Sequence, residues 1–187
     1  MTKWSIAVAS IALVSCGPPN ITAQNQFMDN LCAHCGQSYA GKLVSTNEAD
    51  KDMAAQPMVM EVRSCTDSEI RIPFHVGDDH SRTWIITKTD TGLRLKHQHN
   101  HEDGSADAVT YYGGDTNDMG TENTQTFPVD EFSKIMFVAN GLDVSVTNVW
   151  TVSITKDTYA YELRRKNRHF RVEFDLSQPV AAPPAPW

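Results

Sequence analysis

From residue 58 onward the chain alternates apolar and polar positions in short runs with a period of two. In one run Ile70, Ile72 and Phe74 fall on the same face, because successive side chains of a strand point to opposite sides. Turn residues such as Asn140-Gly141 separate the runs, and this pattern is typical of consecutive short strands. The predicted strands are 58–63, 69–76, 82–89, 93–96, 107–112, 124–129, 133–139, 143–154, 157–166 and 169–176.

Strands at this close spacing, each with one apolar face, predict an all-β antiparallel domain. A closed sheet has no exposed edges, so the pattern favours a barrel over an open sheet. The final meander, residues 145–176, favours an up-and-down β-barrel of the lipocalin-like class. A β-sandwich or jelly roll is the alternative.

The N-terminus has the pattern of an export signal. Lys3 precedes an apolar stretch, residues 6–14, which is long enough for a secretory signal and too short to span a bilayer. The four residues that follow, Leu13-Val14-Ser15-Cys16, resemble the bacterial lipobox. The resemblance to lipoprotein precursors implies that Cys16 is joined to diacylglycerol, that cleavage occurs before it, and that the new terminus is acylated. An ordinary signal peptide is the alternative.

These signals predict four segments. They are a signal peptide (1–15), a lipidated N-terminus and tether (16–27), a single β domain (28–177) and a Pro-rich tail outside the fold (178–187). We expect the protein to be anchored in the bacterial cell envelope, with membrane lipid as its partner at the first cysteine. Gly17, the second residue of the mature chain, favours the outer membrane.

The charge of the chain excludes one class of function. With 16 Lys and Arg against 23 Asp and Glu, the formal net charge is −7. Nucleic-acid binding needs a basic face, so we expect no nucleic-acid partner. The one basic cluster, residues 163–169, is predicted to be a solvated hairpin tip, with contact to anionic lipid headgroups as the alternative.

Three cysteines follow the lipobox. Cys32 and Cys35 have CxxC spacing, but Gly36 stands where c-type haem attachment requires histidine. A zinc site would need two further soft ligands. The favoured interpretation is a disulfide between Cys35 and Cys65, which an exported domain permits, with Cys32 left over.

A histidine series suggests a metal site. Residues 93, 95, 97, 99 and 101 share one face of a predicted strand, so the histidines continue the leucine face towards one rim. His97 and His99 are close enough to share an ion, and His101 could join them if the chain bends at Asn100. The ion would be zinc or another divalent transition metal. The alternatives are a polar hairpin end without metal and a weak resemblance of the HxH pair to cupins.

Three further side chains are candidate metal ligands: Glu102, His75 and His80. His80 lies in a charged turn with Asp78, Asp79 and Arg82, for which we favour a hairpin connection held by an Asp–Arg pair. The alternative for this turn is a loop that clamps a ligand or uses His80 as an acid–base group.

Two segments, residues 71–84 and 92–104, resemble stretches of a family of secreted bacterial proteins and lipoproteins that has no assigned activity. The resemblance would cover residues 32–176, and it implies no mechanism. The chain contains no GxSxG, phosphate-binding loop or HExxH motif.

The sequence therefore predicts a membrane-anchored, non-catalytic protein whose β domain binds a small ligand or a metal ion. One alternative is a metal-dependent enzyme that uses His97, His99 and His101. The other is a structural or protein-interaction lipoprotein.

Overall fold

The computed structural model describes residues 22–187. Its strands are β1 (Ser38–Leu43), β2 (Met58–Glu61), β3 (Ser64–Cys65), β4 (Glu69–Val76), β5 (Asp79–Thr89), β6 (Gly92–His99), β7 (Tyr112–Asp115), β8 (Thr124–Pro128), β9 (Val149–Ile154), β10 (Thr158–Arg165) and β11 (Arg168–Val180). Its helices are α1 (Thr22–Cys32), α2 (Lys51–Ala54) and α3 (Glu131–Ala139), with 3-10 turns at Glu48–Asp50 and Asp143–Thr147.

The strands form one antiparallel sheet that curves into a nearly closed barrel. The order around the sheet is β7-β6-β5-β4-β2-β1-β11-β10-β9-β8, and short β3 pairs with β4 outside this path. With β3 left aside, neighbours in the sheet are neighbours in the chain, except that β1 also pairs with the last strand, β11. This arrangement confirms the predicted all-β, up-and-down barrel and leaves no place for the sandwich alternative.

The two ends of the sheet, β7 and β8, meet through the start of α3. The Asp130 amide donates to the Gly113 carbonyl at 2.9 Å, and the Gly113 amide donates to Ser133 Oγ at 2.8 Å. A Cβ atom on Gly114 would lie 1.7 Å from the Pro128 carbonyl oxygen. Glycine is required here because the two backbones approach too closely for any side chain.

Helix α1 covers one end of the barrel. Phe27 and Leu31 are fully buried in the core, and the Gln24 amide donates to Thr116 Oγ1 at 3.1 Å. The tether predicted to extend to residue 27 therefore ends sooner: residues 22–27 are the first part of α1. Burial of apolar side chains outweighs the polar character that made this stretch resemble a linker.

Residues 133–139, which were predicted to be a strand, lie instead in α3. Asp130 caps the helix, since its carboxylate accepts from the Ser133 amide at 2.8 Å. Phe137 points into the core beside Tyr112, at a ring distance of 5.3 Å. The apolar residues Phe132, Ile135, Val138, Leu142 and Val144 are exposed along α3 and the turn after it.

The C-terminal segment belongs to the fold, in contrast to the predicted free tail. Strand β11 continues to Val180 and pairs with β1. The last residue is also held, because the Trp187 amide donates to the His80 carbonyl at 3.1 Å and Asn100 Nδ2 donates to the Trp187 carbonyl at 2.9 Å. These contacts give the proline-bearing segment partners at both of its ends.

The predicted disulfide between Cys35 and Cys65 is present, with the two Cα atoms 6.2 Å apart. It ties the segment after α1 to β3. Cys32 is a free, partly buried thiol, as the cysteine count predicted.

Candidate functional site

A cavity of about 180 Å³, partly open to solvent, lies inside the barrel near the end of β6. Strand β6 begins at Gly92, where a Cβ would lie 3.2 Å from Gln24 of α1, and it ends at His99, which lines the cavity. At about 3.3 Å per residue these two positions are about 23 Å apart. The cavity therefore lies at the end of the barrel opposite α1. Its lining residues are Asp50, Met53, Phe74, Arg82, Thr83, Trp84, His97, His99, Tyr112, Tyr161, Leu163, Arg168 and Phe170.

One wall of the cavity is aromatic. The Trp84 ring stacks between Phe74, with centroids 4.7 Å apart, and Tyr161, with centroids 4.4 Å apart. These side chains come from β4, β5 and β10, and all three face the barrel interior because they occupy alternate positions of their strands. Stacking holds the rings in place, so the wall is a rigid apolar surface.

His97 forms the inner end of the cavity. It is 3% exposed; its Nδ1 donates to the Tyr112 carbonyl at 3.0 Å, and its Nε2 accepts from the Tyr161 hydroxyl at 2.7 Å. Because a carbonyl can only accept, the proton lies on Nδ1. Burial lowers the pKa of His97 to about 3, so the ring is neutral. The predicted inward face, on which His97 follows Leu93 and Leu95, is confirmed.

His99 lies one pleat closer to the opening. Its Nε2 is 2.9 Å from the Tyr112 hydroxyl. Burial, and then the nearby positive charge of Arg82, lower the pKa of His99 to about 4. This neutral imidazole and the guanidinium are therefore close neighbours on the cavity wall.

Arg82 has one of its two terminal nitrogens occupied. Nη2 donates to Asp79 Oδ2 at 2.8 Å, so the predicted Asp–Arg pair is present, and Asp79 is its acidic member. Nη1 is buried and has no hydrogen-bond partner among residues 22–187. A buried donor without an acceptor costs about 1–3 kcal/mol. The sequence favoured a simple hairpin connection here and missed that Arg82 reaches the cavity.

Arg168, which also lines the cavity, pairs with Asp50 through both terminal guanidinium nitrogens, with Nη2 and Oδ1 2.7 Å apart. The Asp50 side chain is 6% exposed and that of Arg168 is 18% exposed. The two residues are 118 positions apart in the chain, and the sequence carries no local signal for the pair. The pair fixes the turn before α2 against the start of β11.

Two of the six predicted metal ligands lie outside the barrel. His75 follows Phe74, which faces the interior, so it points to the outer face, where its Nδ1 is 2.5 Å from Nδ1 of His80. The two rings pack against each other with centroids 4.6 Å apart, and His80 also contacts Trp187. This pair is separated from the cavity by the sheet itself.

Two more predicted ligands lie in the turn after β6. The chain does bend after Asn100, since the Gly104 amide donates to the His101 carbonyl at 2.9 Å. The bend turns His101 and Glu102 out to solvent and away from His97. Among residues 22–187, no group of three or more His, Cys, Asp or Glu side chains has an arrangement that could hold a metal ion.

Comparison of the chain with protein-family models, curated proteins and solved structures finds no match. Within the described part of the chain, no helix combines the length and apolar character that a bilayer crossing requires.

Proposed function

We propose that this protein is a lipid-anchored binding protein of the bacterial cell envelope, and that its barrel holds a small organic molecule without reacting with it. The observation that carries the proposal is the cavity, in which an aromatic wall faces a few convergent polar groups. This combination is typical of small-molecule sites.

The dimensions of the cavity limit the ligand. Pockets for drug-sized molecules measure about 300–1,000 Å³, and this one is about 180 Å³. A ligand with a single ring or a short branched body fits the available space. The stacked face around Trp84 favours a flat apolar part, and Arg82 and His99, next to it on β5 and β6, favour a polar group.

Binding without chemistry is supported by how the polar groups are used. Both nitrogens of His97 are engaged by Tyr112 and Tyr161, so this imidazole is held as part of the wall. Arg82 and Arg168 are each fixed by a carboxylate. Fixed groups of this kind orient a ligand and lower the entropic cost of binding it.

The anchor is proposed from the lipobox at residues 13–16, which lies outside the described residues. Cys16 would carry the acyl chains, and Gly17 favours the outer membrane. Expression of the full-length chain with labelled palmitate tests this: we expect label in the wild-type protein and none in Cys16→Ser. Labelling of both proteins, or of neither, would contradict the proposal.

The binding site is tested by filling the cavity. Leu163→Trp adds a large ring at the lining, and Val138→Trp adds the same ring at an exposed site on α3. We would measure thermal stabilisation and amide chemical shifts with a panel of single-ring acids, amides and alcohols. We expect binding to the wild type and to Val138→Trp and none to Leu163→Trp. If no panel compound binds the wild type, or if Leu163→Trp binds as well, the cavity is not the site.

A further inference from the structure

Three arginines lie on the inner face of the barrel at the cavity end. Alternation along β10 places Arg165 on the same face as Tyr161 and Leu163, and Arg165 pairs across the hairpin with Arg168. Cross-strand partners point to the same side of a sheet. Together with Arg82 on β5, these side chains collect positive charge at one place in a chain whose net charge is −7.

The nearby carboxylates balance only part of this charge. Asp79 is occupied by Arg82, and Asp50 is occupied by Arg168. Among residues 22–187, no carboxylate lies within 4.0 Å of a charged nitrogen of Arg165 or of Lys166, at the tip of the same hairpin. Like charges directly opposite each other on paired strands are destabilising. Because Asp50 already pairs with Arg168, the positive charge that no carboxylate of the described residues pairs at this end is that of Arg165 and Lys166.

Two donors at this end have no acceptor in the protein. Arg82 Nη1 and Arg165 Nε are both buried, and neither has a hydrogen-bond partner among the described residues. Asp107 is the other acidic group close to His99, and it lies beside the exposed ring of His101, at 4.0 Å. Its Oδ1 accepts from the Val109 amide at 2.7 Å, and its carboxylate is not within hydrogen-bond distance of either donor.

We propose that the ligand of the cavity is a small organic anion, with a carboxylate or phosphate group towards the free nitrogen of Arg82 and a flat apolar body against Trp84. This inference rests on the proposed function and adds the charge of the ligand to it. A planar anionic group accepts from guanidinium nitrogens more strongly than a neutral carbonyl does.

The test compares molecules of equal shape and different charge. The probes are benzoate, benzamide and phenyl phosphate, and calorimetry measures their affinities for the full-length chain. The variants are Arg82→Gln and a matched control, Arg94→Gln. Arg94 lies on the outer face of β6 and is paired with Asp115. All proteins are first checked for equal thermal stability in the absence of probe.

We expect benzoate or phenyl phosphate to bind the wild type at least about tenfold more tightly than benzamide does. Arg82→Gln should remove this preference and leave benzamide binding unchanged, and Arg94→Gln should behave as the wild type. Equal affinities of acid and amide, or an acid preference that survives in Arg82→Gln, would overturn the anion inference and leave the proposed cavity standing. If all three probes fail to bind while other panel compounds bind, the anion inference is also overturned. If no compound of the panel binds the wild type, the proposed binding function itself is refuted, and the anion inference falls with it.

Discussion

Protonation of His97 is expected to destabilise the barrel as the pH falls. The ring is buried between Tyr112 and Tyr161, and burial lowers its pKa from 6.5 to about 3. In the unfolded chain the same group titrates near 6.5. Between pH 6.5 and 3 the unfolded state therefore binds more protons than the folded state, and stability is lost as the pH falls.

The magnitude follows from the two pKa values. At pH 5, protonation of His97 in the unfolded chain lowers the free energy of unfolding by about 2 kcal/mol. At pH 7 the same effect is about 0.2 kcal/mol. The pKa values of His75 and His99, lowered to about 4, act in the same direction. Since small domains have free energies of unfolding of about 5–15 kcal/mol, a loss of this size is readily measured.

The assay is urea unfolding of the wild type, of His97→Gln and of His101→Gln at pH 7 and pH 5. We expect His97→Gln to be less stable at pH 7, because its polar contacts change, but to lose about 2 kcal/mol less than the wild type between pH 7 and pH 5. His101 is exposed, so His101→Gln should keep the pH dependence of the wild type. The reasoning is refuted if His97→Gln and the wild type lose the same free energy.

Three further changes should lower the free energy of unfolding. Gly114→Ala should cost about 3 kcal/mol in urea unfolding, because the new Cβ would overlap a backbone carbonyl at the β7–β8 closure; a near-neutral effect would mean that the closure is looser than described. The double change Cys35→Ser and Cys65→Ser should lower the free energy of unfolding by about 3 kcal/mol, since the disulfide closes a loop with a sequence separation of 30. Reduction of the wild type should cause the same loss, and a different loss would contradict this prediction. Asp50→Asn should cost about 3 kcal/mol, because it leaves the mostly buried Arg168 without its carboxylate; unchanged stability would show that solvent replaces the pair.

The alternation of apolar and polar residues predicted the barrel well, because it arises within each strand from the burial of one face. Inward positions such as Ile70, Trp84 and Leu95 must be apolar wherever one face of a strand is buried, so the period of two is visible in the sequence. His97 followed from the same rule, since it continues the leucine face of β6. The up-and-down order also followed, because short turns join strands that are adjacent in the sheet.

Helix α3 was missed because its apolar residues were counted as strand positions. The available signal was at its ends: Asp130 is a good N-cap, and Asn140-Gly141 is a helix stop as well as a hairpin turn. Ile135 and Val138 are exposed, so the apolar residues of α3 do not mark a single buried helix face, and this made the error easier. When apolar residues fit both the strand period and the helix period, the sequence pattern alone does not distinguish a strand from a helix.

The polar half of the cavity was not predictable from local patterns. Charged side chains usually face solvent, so Arg82 was interpreted as part of a charged hairpin. The Asp50–Arg168 pair joins residues 118 positions apart, and only the closed barrel brings them together. The histidine series, in contrast, was visible, and a shared metal ion was one of the interpretations that it allowed.

The geometry of the barrel also determines which end a lipid anchor would hold. Five residues, 17–21, separate Cys16 from the first residue of α1, Thr22, so the six steps between the two Cα atoms span at most about 22 Å. With Cys16 acylated as proposed, the end covered by α1 lies near the membrane. The cavity, about 23 Å further along β6, then opens away from the bilayer. We expect a site in this position to take its proposed ligand from the aqueous phase, and a small water-soluble anion fits that route better than a membrane lipid does.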